Sequence, residues 1–198
     1  MRQKLISLII SLTTILASGG GYDHGTAAGK GNFDISLTWN PFNYFKQGQT
    51  YGILGYGLTN RLDIHGYYSY MHGGVGNYYG GLFYQFLDYK YFDLATAIGI
   101  RVHTNNSDLH IFLPQLLYTV HLTDKTSIGG SMVKIKDIVL NKKTKDLGTA
   151  IDIFLTRNIY ANEKIIIDLS IGVFNPVLWE PIKGNWHATY SVDFKFKK

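Results

Sequence analysis

Leu58-Thr59-Asn60-Arg61-Leu62-Asp63-Ile64-His65-Gly66 and Leu122-Thr123-Asp124-Lys125-Thr126-Ser127-Ile128-Gly129-Gly130 share Leu-Thr, an Asn or Asp, a base, then Ile and Gly at matching places. Each closes an apolar-rich run with Leu, adds a few polar residues and is followed by a new run. Two looser copies, Leu87-Asp88-Tyr89-Lys90 and Leu155-Thr156-Arg157-Asn158, complete a series whose leucines stand 29, 35 and 33 residues apart. That spacing fits two strands plus one wider loop, so each segment reads as the tight turn of one hairpin. A chain of equal hairpins implies an up-and-down antiparallel meander closed into a barrel.

Alternation supports this outside the turns. Phe33, Ile35, Leu37 and Trp39 alternate with Asp34, Ser36 and Thr38, and Ala188, Tyr190, Val192, Phe194 and Phe196 alternate with Thr189, Ser191, Asp193 and Lys195. The runs 62–70 and 165–173 behave alike, and less regular strands fill 50–58, 77–87, 92–102, 109–122, 126–134 and 146–156. No segment beyond the first twenty residues keeps an apolar stripe at helical period. About ten strands result, each near the ~9–11 residues that cross a bilayer at a tilt. The connections sort by length: the marked turns are short, while 40–49, 71–76, 103–108, 135–145 and 174–185 are longer. The basic run from Lys134 to Lys145 reads as a solvated loop.

The beginning of the chain says where such a barrel goes. Arg2 and Lys4 precede an apolar run from Leu5 to Leu16, and Ala17-Ser18-Gly19 offers small residues for cleavage. This is a secretory signal pattern, too short to span a membrane as a helix. Residues 1–19 are therefore expected to be a signal peptide cleaved near Gly19, residues 20–32 a flexible N-terminal segment, and residues 33–198 the barrel domain. Gly19 stands where a lipidated Cys would be needed, which excludes a lipid anchor. The chain has no cysteine, so an exported product must be stabilised by a core, a closed sheet or lipid. The net charge of +5 falls to +3 without residues 1–19, and no Lys/Arg stripe supports nucleic-acid binding.

Which face is inside follows from composition. Charged residues make up only 17% of the chain, and the more apolar face carries almost none of them. Aromatic residues gather near strand ends (Trp39, Phe42, Tyr44 and Phe45; Tyr67, Tyr68 and Tyr70; Tyr78 and Tyr79; Tyr89, Tyr91 and Phe92; Trp179 and Trp186), as in interfacial girdles. The last strand, alternating up to Phe194 and Phe196, resembles the C-terminal strand signal of bacterial outer-membrane β-barrel proteins. The stretch Gly57-Leu-Thr-Asn-Arg-Leu-Asp63 resembles a turn of porin-like small barrels, and Lys197-Lys198 departs from the usual aromatic end. The resemblance implies a Gram-negative outer-membrane location, with membrane lipid and the barrel-assembly machinery as partners and the short turns on the periplasmic rim.

On that reading the polar face lines the lumen, with Asp63, His65, Arg101, Asp152, Asp168, Asp193 and Lys195 as its ionisable candidates, joined by Asp34, His121 and His187. Asp152 and Asp168 lie symmetrically about residue 160, so simple hairpin register sets them face to face and calls for a compensating neighbour. Asp168→Asn is then expected to be tolerated or stabilising. Small residues such as Gly99, Gly129 and Gly172 either leave a slender passage or let inward rings lie against the wall. Phe42, Tyr44, Phe45 and Trp179, beside prolines in two loops, are candidate partner surfaces. No nucleophile, metal or cofactor motif accompanies the histidines, so no enzyme, cofactor or metal is expected. The expected function is a narrow porin-like channel for a small solute or ion, or a passive structural barrel. The alternatives are a barrel binding through its surface loops, and an exported soluble β-barrel holding an apolar ligand.

Overall fold

The computed structural model describes residues 24–42, 47–71, 74–104, 109–137, 145–175 and 185–198. Among them are ten strands: β1 (Phe33–Phe42), β2 (Gln47–Gly57), β3 (Leu62–Met71), β4 (Val75–Tyr89), β5 (Phe92–His103), β6 (Leu109–Thr123), β7 (Thr126–Asp137), β8 (Lys145–Ala161), β9 (Ile165–Asn175) and β10 (His187–Phe196). Each pairs antiparallel with its sequence neighbours, and β1 also pairs with β10, closing the barrel. Closure leaves no unpaired strand edge. One end carries the turns β2–β3, β4–β5, β6–β7 and β8–β9; at the other, β5–β6, β7–β8 and β9–β10 are the longer connections, while β1–β2 and β3–β4 are as short as the turns, because much of the expected stretches 40–49 and 71–76 is strand.

The apolar face is outside. Leu37, Leu54, Ile64, Leu82, Ile98, Leu116, Met132 and Leu169 are exposed, while their polar neighbours Thr38, Asp63, His65, Ser131, Asp168 and Ser170 are buried. In water this band would be one large apolar patch, far beyond what a monomeric soluble barrel shows. A soluble barrel would hide this face, so that alternative fails on orientation. Rings cluster at both ends of the band: Trp39 stacks on Tyr190 at 6.1 Å and Tyr68 meets Tyr78 at 4.9 Å at the loop end, while Tyr89 meets Phe92 at 5.6 Å at the turn end. Tyr67 and Tyr79, grouped with the girdles from sequence, point inward instead.

Three expectations are corrected. Leu155-Thr156-Arg157-Asn158 is not a turn but lies within β8, because Thr156 and Asn158 are inward-facing polar residues that bond to Ser170 and Asp168 of β9. The turn comes later, where the Asn162 side chain accepts hydrogen bonds from the amides of Lys164 and Ile165. Asp152 consequently faces Phe174, and Asp168 faces Asn158. The basic run is also less of a loop than expected: Lys134 and Lys136 are on β7, and Lys134 pairs with Asp146 of β8 at 2.6 Å.

The segment before β1 differs most from expectation. Residues 24–32 are not a free leader; they run along the inside of the barrel at its turn end. The Gly25 amide donates to Thr119 Oγ1 at 3.0 Å and Thr26 Oγ1 to Asp93 at 2.6 Å. The Ala27 amide donates to Gln85 and the Ala28 amide to Asp63, each at 2.8 Å, and the Gly31 amide to the Gly57 carbonyl at 2.8 Å. The wall residues belong to β6, β5, β4, β3 and β2 in turn. Small side chains make the fit possible: a Cβ on Gly57 would lie 1.9 Å from the Gly29 carbonyl oxygen, and Gly29 and Gly31 have φ of 83° and 80° as the chain swings into β1.

Candidate functional site

The lumen divides lengthwise. Along β2 to β6 the inner wall is packed with Tyr51, Ile53, Tyr67, Tyr79, Phe83, Ala95, Ala97 and Leu117, against which Ala27 and Phe112 rest. Tyr79 is the hub. Its ring stacks on Tyr67 at 4.8 Å and meets Phe112 at 5.3 Å, and its hydroxyl lies 3.2 Å from both His65 Nε2 and Gln115 Nε2. The ring can lie across the wall because β5 has no side chain beneath it: a Cβ on Gly99 would fall 2.1 Å from the Tyr79 ring. Gly129 does the same for Phe154. These two glycines accommodate inward rings.

Along β1, β10, β9 and β8 the wall is polar. Asp193 accepts hydrogen bonds from Ser36, from Ser191 at 2.6 Å and from Ser170 at 3.1 Å. Lys195 Nζ lies 3.0 Å from Asp168 Oδ2, and Asn158 donates to Asp168 Oδ1 at 2.8 Å. Facing carboxylates do occur, but the pair is Asp168 and Asp193 across the β9–β10 ladder. Their repulsion is offset by the Lys195 ammonium on one side and three hydroxyls on the other. A cavity of about 310 Å³ lies against this sector. It reaches from the turn Thr123–Thr126 at the rim inward to Thr38, Ile53 and Ser191, and is lined by Asp34, Asp168, Asp193 and Lys195. Above it Asn40 and Thr189 are fully buried, and Asn40 Nδ2 and Oδ1 and Thr189 Oγ1 have no hydrogen-bond partner among the described residues. Leaving such groups dry costs about 1–3 kcal/mol each, so this sector favours water.

The candidates fall into separate places. Asp168, Asp193 and Lys195 come together. Asp63, fully buried, and His65 lie under the inner segment and beside Tyr79. Arg101 sits over the Phe112 ring at 5.0 Å and meets His110 at 3.2 Å, and Asp152 accepts from the Ser131 amide and hydroxyl at 2.6 and 2.7 Å; neither lines the cavity. Phe42 ends β1, but its side chain, and Tyr44, Phe45 and Trp179 altogether, lie outside the described residues, as do residues 1–19. Two site residues escaped the sequence reading. Asp93 holds Thr26 and, at 2.9 Å, His121. His24 lines the cavity; burial, then the nearby Lys195, hold its imidazole at about 3 rather than 6.5. Asp93 was accessible in principle, since it alternates with Ala95, Ala97 and Gly99 on one face. His24 gave no periodic signal.

A closed antiparallel barrel with an apolar belt, aromatic ends, a polar inner sector and short turns on one side is a small β-barrel of the outer-membrane type. No protein-family model and no curated protein matches the chain. Among solved structures it is similar to the KdgM porin, at 10% identity over 84% of this chain and 99% of that one, with a TM-score of 0.47. It is also similar to the KdgM porin in complex with disordered oligogalacturonate (9% identity, 84% and 99% covered, TM-score 0.49) and to a de novo designed transmembrane β-barrel (9% identity, 85% and 97% covered, TM-score 0.40).

Proposed function

We propose that the protein is a narrow porin-like channel of the bacterial outer membrane, exported by its N-terminal signal and assembled with its short turns toward the periplasm. The observation that carries the reading is the polar sector of β1, β10, β9 and β8, with its cavity of about 310 Å³ leading inward from the turn-end rim. Filling the lumen with rings, as along β2 to β6, would close a passive barrel more simply than a polar wall with a cavity against it. The passage suits ions and the smallest polar solutes, because eight strands leave room only for side chains and wide aqueous pores need about sixteen. The reading assigns no catalytic step to His103 and His110, whose rings meet edge to face at 5.1 Å.

A second reading, a passive structural barrel, is favoured by the layer of Asn40, Ser69, Asn77 and Thr189, all of them essentially fully buried. Planar-bilayer recording separates the two. Small, discrete conductance steps from folded, detergent-purified protein are expected. A folded sample that passes no current at any voltage would leave the passive barrel.

A further inference from the structure

The segment His24–Asn32 does something that a leader peptide need not do. It covers the inner wall of five consecutive strands at the turn end of the lumen, where the polar cavity opens. Its bonds go to side chains that already face the lumen: Thr119, Asp93, Gln85 and Asp63. From Gly25 to Ala28 it makes one such bond per residue. Only Ala27 among its side chains packs against the apolar cluster. Its far end is anchored to the rim, where the Gly57 amide donates to the Asn32 carbonyl at 3.1 Å and the Lys198 amide to Asn32 Oδ1 at 3.1 Å.

We propose that residues 24–32 are an internal strap that narrows the turn-end mouth and widens it by leaving the wall while the barrel stays folded. The proposal rests on the channel reading above. Three features support it. From His24 to Lys30 the strap contributes nothing to the strand ladders, which close through β1 and β10 without it. One hydrogen bond per residue is of the same size as the cost of ordering a residue's backbone, so release and return are both accessible. Finally, departure strands no polar group in a dry site: Asp63, Asp93 and Gln85 exchange a strap donor for lumen water. The mouth then presents Asp34, Asp63, Asp93, Asp124, Asp168 and Asp193 against Lys125 and Lys195, a net negative lining, so the open state passes inorganic cations in preference to anions.

The chain has no cysteine, which makes a reversible lock practical. Thr26 Oγ1 and Asp93 Oδ2 are 2.6 Å apart, so T26C with D93C can tie the strap to β5. Planar-bilayer recording in potassium chloride would compare three samples: the intact chain, a chain lacking residues 24–32, and the double-cysteine chain oxidised and then reduced. Expected are a several-fold higher open probability without the strap, with a reversal potential on the cation side under a salt gradient. Oxidation of the double-cysteine chain should suppress openings and reduction restore them. Equal currents with and without the strap, or locked and unlocked, would overturn the strap and leave the channel reading in place. Silence from every folded sample would remove the channel reading itself. Should the deletion fail to fold, the oxidised-against-reduced comparison decides alone, because both states share one sequence.

Discussion

Replacing Gly99 by alanine would set a methyl carbon 2.1 Å from Cζ and Oη of Tyr79. The obstructing atoms belong to a rigid ring, so the ring must leave the wall. It is poorly placed to do so, since its hydroxyl serves His65 and Gln115 and its face lies on Tyr67. Overpacking of this kind costs about 1–3 kcal/mol, and each neutral hydrogen bond lost adds about 0.5–1.5 kcal/mol. Gly99→Ala should therefore destabilise the barrel by about 2–4 kcal/mol. In a Tyr79→Ala background the obstruction is gone, and the same substitution should cost nothing or stabilise by about 0.4–1 kcal/mol through the unfolded chain. Gly80→Ala is the matched control, because its added Cβ meets nothing within 4 Å. Urea unfolding of barrels refolded into lipid vesicles, followed by tryptophan fluorescence, measures the wild type and all four variants. An equal cost of Gly99→Ala with and without the Tyr79 ring would refute the claim that this glycine exists to seat it.

Three further outcomes follow from the lumen. Asp168→Asn should now destabilise rather than relieve, by about 1–2 kcal/mol, since it removes the partner of a Lys195 that is about a third exposed to the cavity; unchanged urea midpoints would mean that Asp34 and Asp193 alone hold the ammonium. Acid should release the strap. His24 carries no charge difference above pH 6.5; as pH falls from 6.5 toward 3 the released state binds the proton and the strapped state does not, at about 1.4 kcal/mol per pH unit. Lys195 on β10 opposes protonation and Asp168 on β9 and Asp93 on β5 favour it, with His65 on β3 also nearby. By pH 5 this amounts to about 2 kcal/mol, so openings should become more frequent between pH 7 and 5 in the intact chain and less responsive in His24→Asn; identical pH responses from the two would sink the assignment. Asp193→Val should lower the yield of correctly closed barrel, read as the heat-shifted band on gels, and a wild-type yield would show that the serines suffice.

Much of the fold could be read directly because a lipid-facing barrel writes its two faces into alternate residues. Leu62, Ile64, Tyr68 and Tyr70 against Asp63, His65 and Ser69 leave one orientation for β3. The same two-residue period misled at β8. A polar residue facing the lumen and a polar residue in a turn look alike in sequence, and Leu155-Thr156-Arg157-Asn158 was read as the second when it is the first. What decides the turn is the Asn162 carboxamide capping two amides, a local device with no periodicity. Moving the turn moved the register, and with it the partners of Asp152 and Asp168. The strap escaped for a different reason. His24-Gly-Thr-Ala-Ala-Gly-Lys-Gly-Asn32 has the composition of a linker, and the wall side chains that accept its amides are between 30 and 94 residues away.

The division of the lumen bears on how the barrel closes. The polar residues concentrate where the first and last strands meet: Asp34 faces Lys195, Ser36 faces Asp193 and Thr38 faces Ser191 across β1 and β10. That seam is the one pairing in the sheet that no tight turn or intervening loop can set. Its register must come from the side chains themselves. A slip of one residue would turn Ser191, Asp193 and Lys195 toward hydrocarbon, and a buried lysine there costs about 2–4 kcal/mol at mid-membrane and less near the rim. Asp193, deeper than Lys195 and bonded to serines of β1, β9 and β10, is the stricter of the two gauges. An apolar seam would have had no such penalty for the wrong register. The polar strip that lines the cavity is thus also what tells β10 where to stop against β1, so substitutions chosen to widen or neutralise the cavity should show their first effect on closure.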